Sequence, residues 1–296
     1  MKQLVALGLF LTTFGCNSRD KENNMNDRLQ DHRHQSGAHA DHDEGAHAGH
    51  NEGAHAGHNT GAHAGQHGPE TASELIVATD PSEPVANQPV TLKLMIHSAD
   101  GTMVKNFEVV HEEKVHLVIV REGLDHFAHI HPAVDAMGNL SIRHTFPAAG
   151  QYRLFADYKP VDGGHALATG SVSIGGESQQ APALVPNAPG NIAADGIRAS
   201  ISAAPLKAGE AARVKFSLEG EQGGPAGLED YMGAAAHLMF VSAAGEYVHV
   251  HPVANDAAKG TVEFAAHFPS PGLYKGWGQF KHDGQVRVVP FVVDVK

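Results

Sequence analysis

"KVHLVIVREGLDHFAHIHP" (Lys114–Pro132) decides how this chain is read. It opens with an apolar, β-branched run, passes through Glu122-Gly123, and resumes as Phe-Ala-His-Ile-His before a proline. Alternation with a period of two, broken by a Gly-containing turn, is the pattern of a β-hairpin. The stretch recurs as "AAHLMFVSAAGEYVHVHP" (Ala235–Pro252), one residue shorter in the turn. His116 then matches His237, Phe127 matches Tyr247, His129 matches His249 and His131 matches His251. Further on, "FPAAGQY" (Phe146–Tyr152) matches "FPSPGLY" (Phe268–Tyr274). Matched blocks in the same order argue for two tandem copies of one domain.

Around these blocks lie more short runs rich in Val, Ile, Leu and aromatics, separated by turn residues: "ELIVAT", "VTLKLMIH", "YRLFADY", "ARVKFSL", "QVRVVPFVVDV". No segment sustains a helical period. The expected fold is all-β: one β-sandwich over residues 74–176, a linker at 177–191 ("ESQQAPALVPNAPGN") and a second sandwich over 192–296. The Phe-Pro-x-x-Gly-x-Tyr block resembles the corner of an immunoglobulin-like sandwich, with the Tyr packing or bonding across the turn. Trp277, the single tryptophan, is expected in core or rim packing.

The repeated histidines carry the chemistry. Residues i and i+2 of a strand face one side, so His129 projects with His131, and His249 with His251. Pro132 and Pro252 end those strands near a sheet margin. The preceding strand adds His116 or His237. Each copy thus brings three imidazoles together, enough to hold one ion. Five residues upstream stand His111 in the first copy and Met232 in the second, candidates for a fourth ligand. Imidazole with a soft thioether suits copper in both oxidation states, and imidazole alone also takes zinc or nickel. His165 and His282 are weak rim candidates. His97, His126 and His144 have no matched partner, His267 faces Thr145 in the alignment, and these four carry no assigned role.

The N-terminus has a different texture. "MKQLVALGLFLTTFGC" has Lys2, an apolar stretch too short to be a permanent span, and Thr-Phe-Gly-Cys at its end. It reads as a signal peptide (residues 1–15), and its ending resembles a bacterial lipobox. That resemblance implies cleavage before Cys16 and lipid attachment there. Asn17 after the cysteine favours the outer membrane, by analogy with enteric bacteria. Residues 16–73 hold an eight-residue Gly-Ala-His repeat, with ten histidines and no large apolar side chain between His32 and His67. Such a tail is expected to stay disordered. Its His39, His42, His47, His50, His55, His58, His63 and His67 are candidate low-affinity metal ligands.

Composition excludes several functions. The net charge of -12 gives no footprint for nucleic acid. Cys16 is the only cysteine, so an acylated chain has no disulfide, no thiolate nucleophile and no Cys-ligated blue-copper site. No Gly-x-Ser-x-Gly, phosphate loop or dinucleotide fingerprint is present. The chain is therefore not expected to be an enzyme.

The segments "EKVHLVIVREGLDHFAHIHP", "FPAAGQYRLFADY" and "LEDYMGAAAHLMFVSAAGEYVHVHP" resemble the bacterial secreted β-sandwich proteins called YtkA-like or FixH-like. The resemblance covers residues 74–296. It implies an immunoglobulin- or cupredoxin-like fold and extracytoplasmic metal handling beside copper and other heavy-metal efflux systems. The combined expectation is a periplasm-facing, lipid-anchored metal-binding protein whose partners are metal ions and an efflux system or another envelope protein. Two alternatives stand beside copper buffering. One is a non-catalytic interaction module with structural histidines, and the other is a zinc- or nickel-binding protein.

Overall fold

The computed structural model describes residues 73–296, apart from Ser178, Pro189 and Asp195. The signal peptide, Cys16 and the histidines of the N-terminal repeat lie outside the described residues. What is described is all-β, with one short 3-10 turn at Ala257–Lys259. The first half carries β1 (Ser73–Asp80), β2 (Pro89–His97), β3 (Val115–Arg121), β4 (Phe127–Ile130), β5 (Ala133–Val134), β6 (Leu140–Thr145), β7 (Gly150–Tyr158) and β8 (Ala166–Ile174). The second carries β9 (Asn191–Ala194), β10 (Ile197–Ala203), β11 (Ala211–Gly220), β12 (His237–Ser242), β13 (Tyr247–Val250), β14 (Pro252–Asp256), β15 (Thr261–His267), β16 (Gly272–His282) and β17 (Gln285–Val295).

The strand orders of the halves correspond. Strands β1-β2-β6-β5 of the first half match β10-β11-β15-β14 of the second, and β4-β3-β7-β8 match β13-β12-β16-β17. In the first half β1 also pairs in parallel with β8 through Ser73 and Glu74, which joins its two sheets at one edge. In the second half β9 extends the sheet beside β10 instead. Each half encloses its own core. Leu94, Leu117, Ile119, Phe146 and Leu154 belong to one, and Phe216, Leu238, Phe240, Phe264 and Phe291 to the other.

The Phe-Pro-x-x-Gly-x-Tyr blocks form matching corners. The hydroxyl of Tyr152 donates to the Ala148 carbonyl (2.8 Å), and that of Tyr274 donates to the Ser270 carbonyl (2.9 Å). Gly150 and Gly272 sit at φ 134° and 140°, a region side chains rarely enter, which is why both corners carry glycine.

Strand β3 is buried along its whole length, and so are β12 and β13. A strand covered on both faces needs two cores. The alternation shows them. Val115, Leu117 and Ile119 enter the core of their own half, while Val118 and Val120 join Met239, Val241, Tyr247, Phe155 and Trp277 in a third cluster. The β3 and β12 sheets of the two halves therefore pack against each other. Phe127 stacks on Trp277 (centroids 4.8 Å, 12°) and Tyr247 stacks on Phe155 (4.8 Å, 11°). Phe127 matches Tyr247, and Phe155 matches Trp277, since each of the latter pair lies opposite an equivalent residue, Val118 or Met239. The two stacks are thus related by a pseudo-two-fold axis. Each contributes about 0.5–1.5 kcal/mol beyond the area it buries. Trp277, expected in packing, belongs to this interface.

Candidate metal centre

His116 and His237 lie on the same faces of β3 and β12 as the interface residues. The period of two places them so: Val118 and Val120 follow His116, and Met239 and Val241 follow His237. His129 pairs with Val118, and His249 with Met239, so both rings face the same way from the edge strands β4 and β13. After His131-Pro132 and His251-Pro252 the chain leaves for the opposite sheet, into β5 and β14. The proline cannot continue the ladder, and the preceding histidine stays beside its i−2 neighbour.

The ligand atoms of His116, His129 and His131 all lie within 4.8 Å of one another, as do those of His237, His249 and His251. The hydrogen bonds decide which atoms these are. His116 Nε2–H donates to the Val110 carbonyl (2.9 Å), and His237 Nε2–H donates to the Tyr231 carbonyl (3.1 Å). A carbonyl only accepts, so each Nδ1 is left as a lone pair. His249 Nδ1–H donates to Asp157 Oδ2 (2.8 Å), and His129 Nδ1–H donates to Gln279 Oε1 (2.7 Å). In the neutral ring Nε2 is left as a lone pair. His131 Nε2, His237 Nδ1, His249 Nε2 and His251 Nε2 are buried and have no partner among the described residues. His116 Nδ1 and His129 Nε2 face each other at 3.2 Å as two acceptors.

Protons do not relieve this. Burial pushes His116 down to about 4, and His237 and His251 down to about 2. Burial also holds His129 well below the ordinary imidazole range and lowers His131 and His111. At neutral pH these rings are uncharged, the form that binds metal. An unsatisfied buried acceptor costs about 1–3 kcal/mol. A cation at the focus of each triad satisfies three such atoms at once, so the residues fit a metal ion.

The bonds to Asp157 and Gln279 cross between the halves. These two residues are equivalent, facing His116 and His237 in the ladders, and they are the polar interruptions of apolar strands. Sequence reading missed them. The available signal was a polar residue five positions after each corner tyrosine.

His111 and Met232 occupy matching tight turns, bridged Val110–Glu113 and Tyr231–Ala234, and both are left-handed, at φ 50° and 53°. The sequence grouped His111 with its own copy, whereas the structure sets it against the other. Its ring lies 4.2 Å from that of His251, 5.7 Å from His237 and 6.4 Å from His116. The same ring lies against the turn that holds Met232 and Gly233. The interface axis brings the two turns together, and spacing along one copy does not reveal that.

The remaining histidines are distributed. His165 is exposed in the loop before β8. His282 instead donates through Nδ1 to the Gly227 carbonyl (2.8 Å). His126 and His144 meet in the first half, ring centroids 5.8 Å apart, with both Nε2 atoms buried and unbonded among the described residues. His97 bridges to Met103, and His267 pairs with Ala211 at a strand end.

No curated protein matches the chain. Solved structures share distant likeness. A tetra-tandem repeat from the extending region of a large adhesion protein is 10% identical over 76% of this chain and 50% of that one, TM-score 0.26. The Escherichia coli adhesin FdeC is 15% identical over 76% and 65%, TM-score 0.24. Fibronectin(III)-like modules of Clostridium thermocellum CbhA are 12% identical over 74% and 93%, TM-score 0.21. This chain thus spans half to two-thirds of the two adhesin chains. One family matches most of the sequence, and it matches twice, over residues 70–175 and 192–296: the chain belongs to the family described as a domain of unknown function, DUF8832.

Proposed function

We propose that this protein is a cell-envelope metal-binding lipoprotein that buffers or chaperones copper in heavy-metal resistance. The observation that carries the reading is the set of inward-facing imidazole nitrogens, buried and without a donor among the described residues. Each triad holds one ion. Copper is favoured over zinc or nickel because a thioether, Met232, stands at the turn position that His111 occupies in the other copy. The sandwiches are immunoglobulin- or cupredoxin-like, as the resemblance to YtkA-like and FixH-like proteins implies, and an efflux system or another envelope protein is the partner. The chain binds rather than catalyses: Asp157, the carboxylate bonded into the centre, is engaged by His249. Cys16 is the outer-membrane anchor, and the histidine repeat of the tail collects ions at low affinity and passes them to the folded centre.

Full-length protein is to be loaded separately with Cu(I), Cu(II) and Zn(II), then dialysed against free histidine to strip the tail. About two retained copper ions per chain, and none in the His129→Ala/His249→Ala variant, support the reading. Retention of no ion assigns the repeated histidines a structural role. Preferential retention of zinc moves the metal assignment away from copper.

A further inference from the structure

The two triads are not separate. Ring centroids of His129 lie 6.1 Å from those of both His237 and His249, and His116 lies 6.3 Å from His249. These distances are comparable to those within a triad, such as 5.4 Å for His116–His129 and 5.8 Å for His237–His249. The hydrogen bonds that orient His129 and His249 come from the opposite copy. His111 rests on His251 of the opposite copy, beside the turn that holds Met232 and Gly233. His111 sits in the left-handed region, φ 50°, a conformation that non-glycine residues adopt at a conformational cost. Its own turn directs the ring across the interface.

Building on the metal-binding reading, we propose that the seven histidines form one two-ion centre astride the pseudo-two-fold axis, in which His111 of the first copy is a ligand of the ion held by His237, His249 and His251. The two halves are then joined by shared metal coordination as well as by the aromatic stacks, and each ion orders the ligands of the other. A duplicated domain gains from this arrangement something a single copy lacks, namely a pair of late transition-metal ions held close together.

The test uses full-length protein loaded with Cu(II), with tail-bound ions stripped by free histidine. Electron paramagnetic resonance is expected to show dipolar broadening and a half-field transition from the ion pair. His111→Asn is the variant of choice, because asparagine tolerates the left-handed turn and leaves the fold undisturbed. In a His131→Ala background, which disables the first triad, it is expected to weaken the remaining ion by about tenfold or more. In a His251→Ala background, which disables the second, it is expected to leave the remaining ion unchanged. Circular dichroism confirms folding in each case. Two tightly bound ions with independent spectra, or an effect of His111→Asn confined to the His251→Ala background, would overturn the two-ion centre while leaving metal binding intact. Failure to retain any ion would overturn both.

Discussion

Asp157 Oδ2 lies 2.8 Å from His249 Nδ1, across the interface between the two halves, at the strand position that Gln279 fills in the other half. Gln279 makes the matching contact with His129 at 2.7 Å. One of these partners is a carboxylate and the other an amide, so the two triads are not equally polarised. An ionised acceptor raises the electron density on the far ring nitrogen and fixes the tautomer more firmly.

Asp157→Ala is therefore expected to weaken the ion at His237, His249 and His251 by about 10–100-fold, and Gln279→Ala to weaken the other ion by less. Competitive titration against a chelator of known affinity measures both. An equal loss in the two variants would show that charge at this position is immaterial.

The aromatic stacks bind the halves together. Trp277→Ala removes a side chain that is 4% exposed and stacked on Phe127, and is expected to cost about 3–5 kcal/mol. Denaturant unfolding reads the cost. Metal affinity should fall in the same variant, because the crossing bonds to His129 and His249 depend on the interface. A destabilised protein with unchanged affinity would uncouple the site from the interface.

Tyr247 has a buried hydroxyl with no hydrogen-bond partner among the described residues, at the position where the first copy has Phe127. Tyr247→Phe removes the unsatisfied group and keeps the stack on Phe155. A gain of about 1 kcal/mol in the metal-free protein is expected from thermal or denaturant unfolding. A loss of stability would mean that the hydroxyl is satisfied in solution.

Acidity should destabilise the metal-free protein. Burial holds His116 and His126 at about 4, and His237 and His251 at about 2, against 6.5 for an unperturbed imidazole. Below about pH 6.5 the unfolded chain takes up protons that the folded chain refuses, so unfolding becomes easier. Stability is fully present above that pH and is lost progressively as the pH falls towards 4 and below. Denaturant midpoints recorded in chelator across this range check the sign, and a flat profile would contradict the buried neutral state.

Much of this protein is legible in the sequence by itself. Alternation with a period of two, Gly-containing turns and the Phe-Pro-x-x-Gly-x-Tyr corners determine an all-β chain, because a strand's faces and a corner's left-handed glycine are local properties. The triads are legible for the same reason. His129 and His131 must share a face, and His116 follows from its neighbouring strand across a short turn. Alignment of the copies relates His129 to His249, but it says nothing about which residue touches which across an axis. Only the tertiary structure decided that the outer faces of β3 and β12 meet. It also decided that Asp157 and Gln279 exchange partners, and that His111 leaves its own triad for His251. Those contacts arise from packing two apolar sheet faces together, which the burial pattern permits but whose register no local spacing encodes.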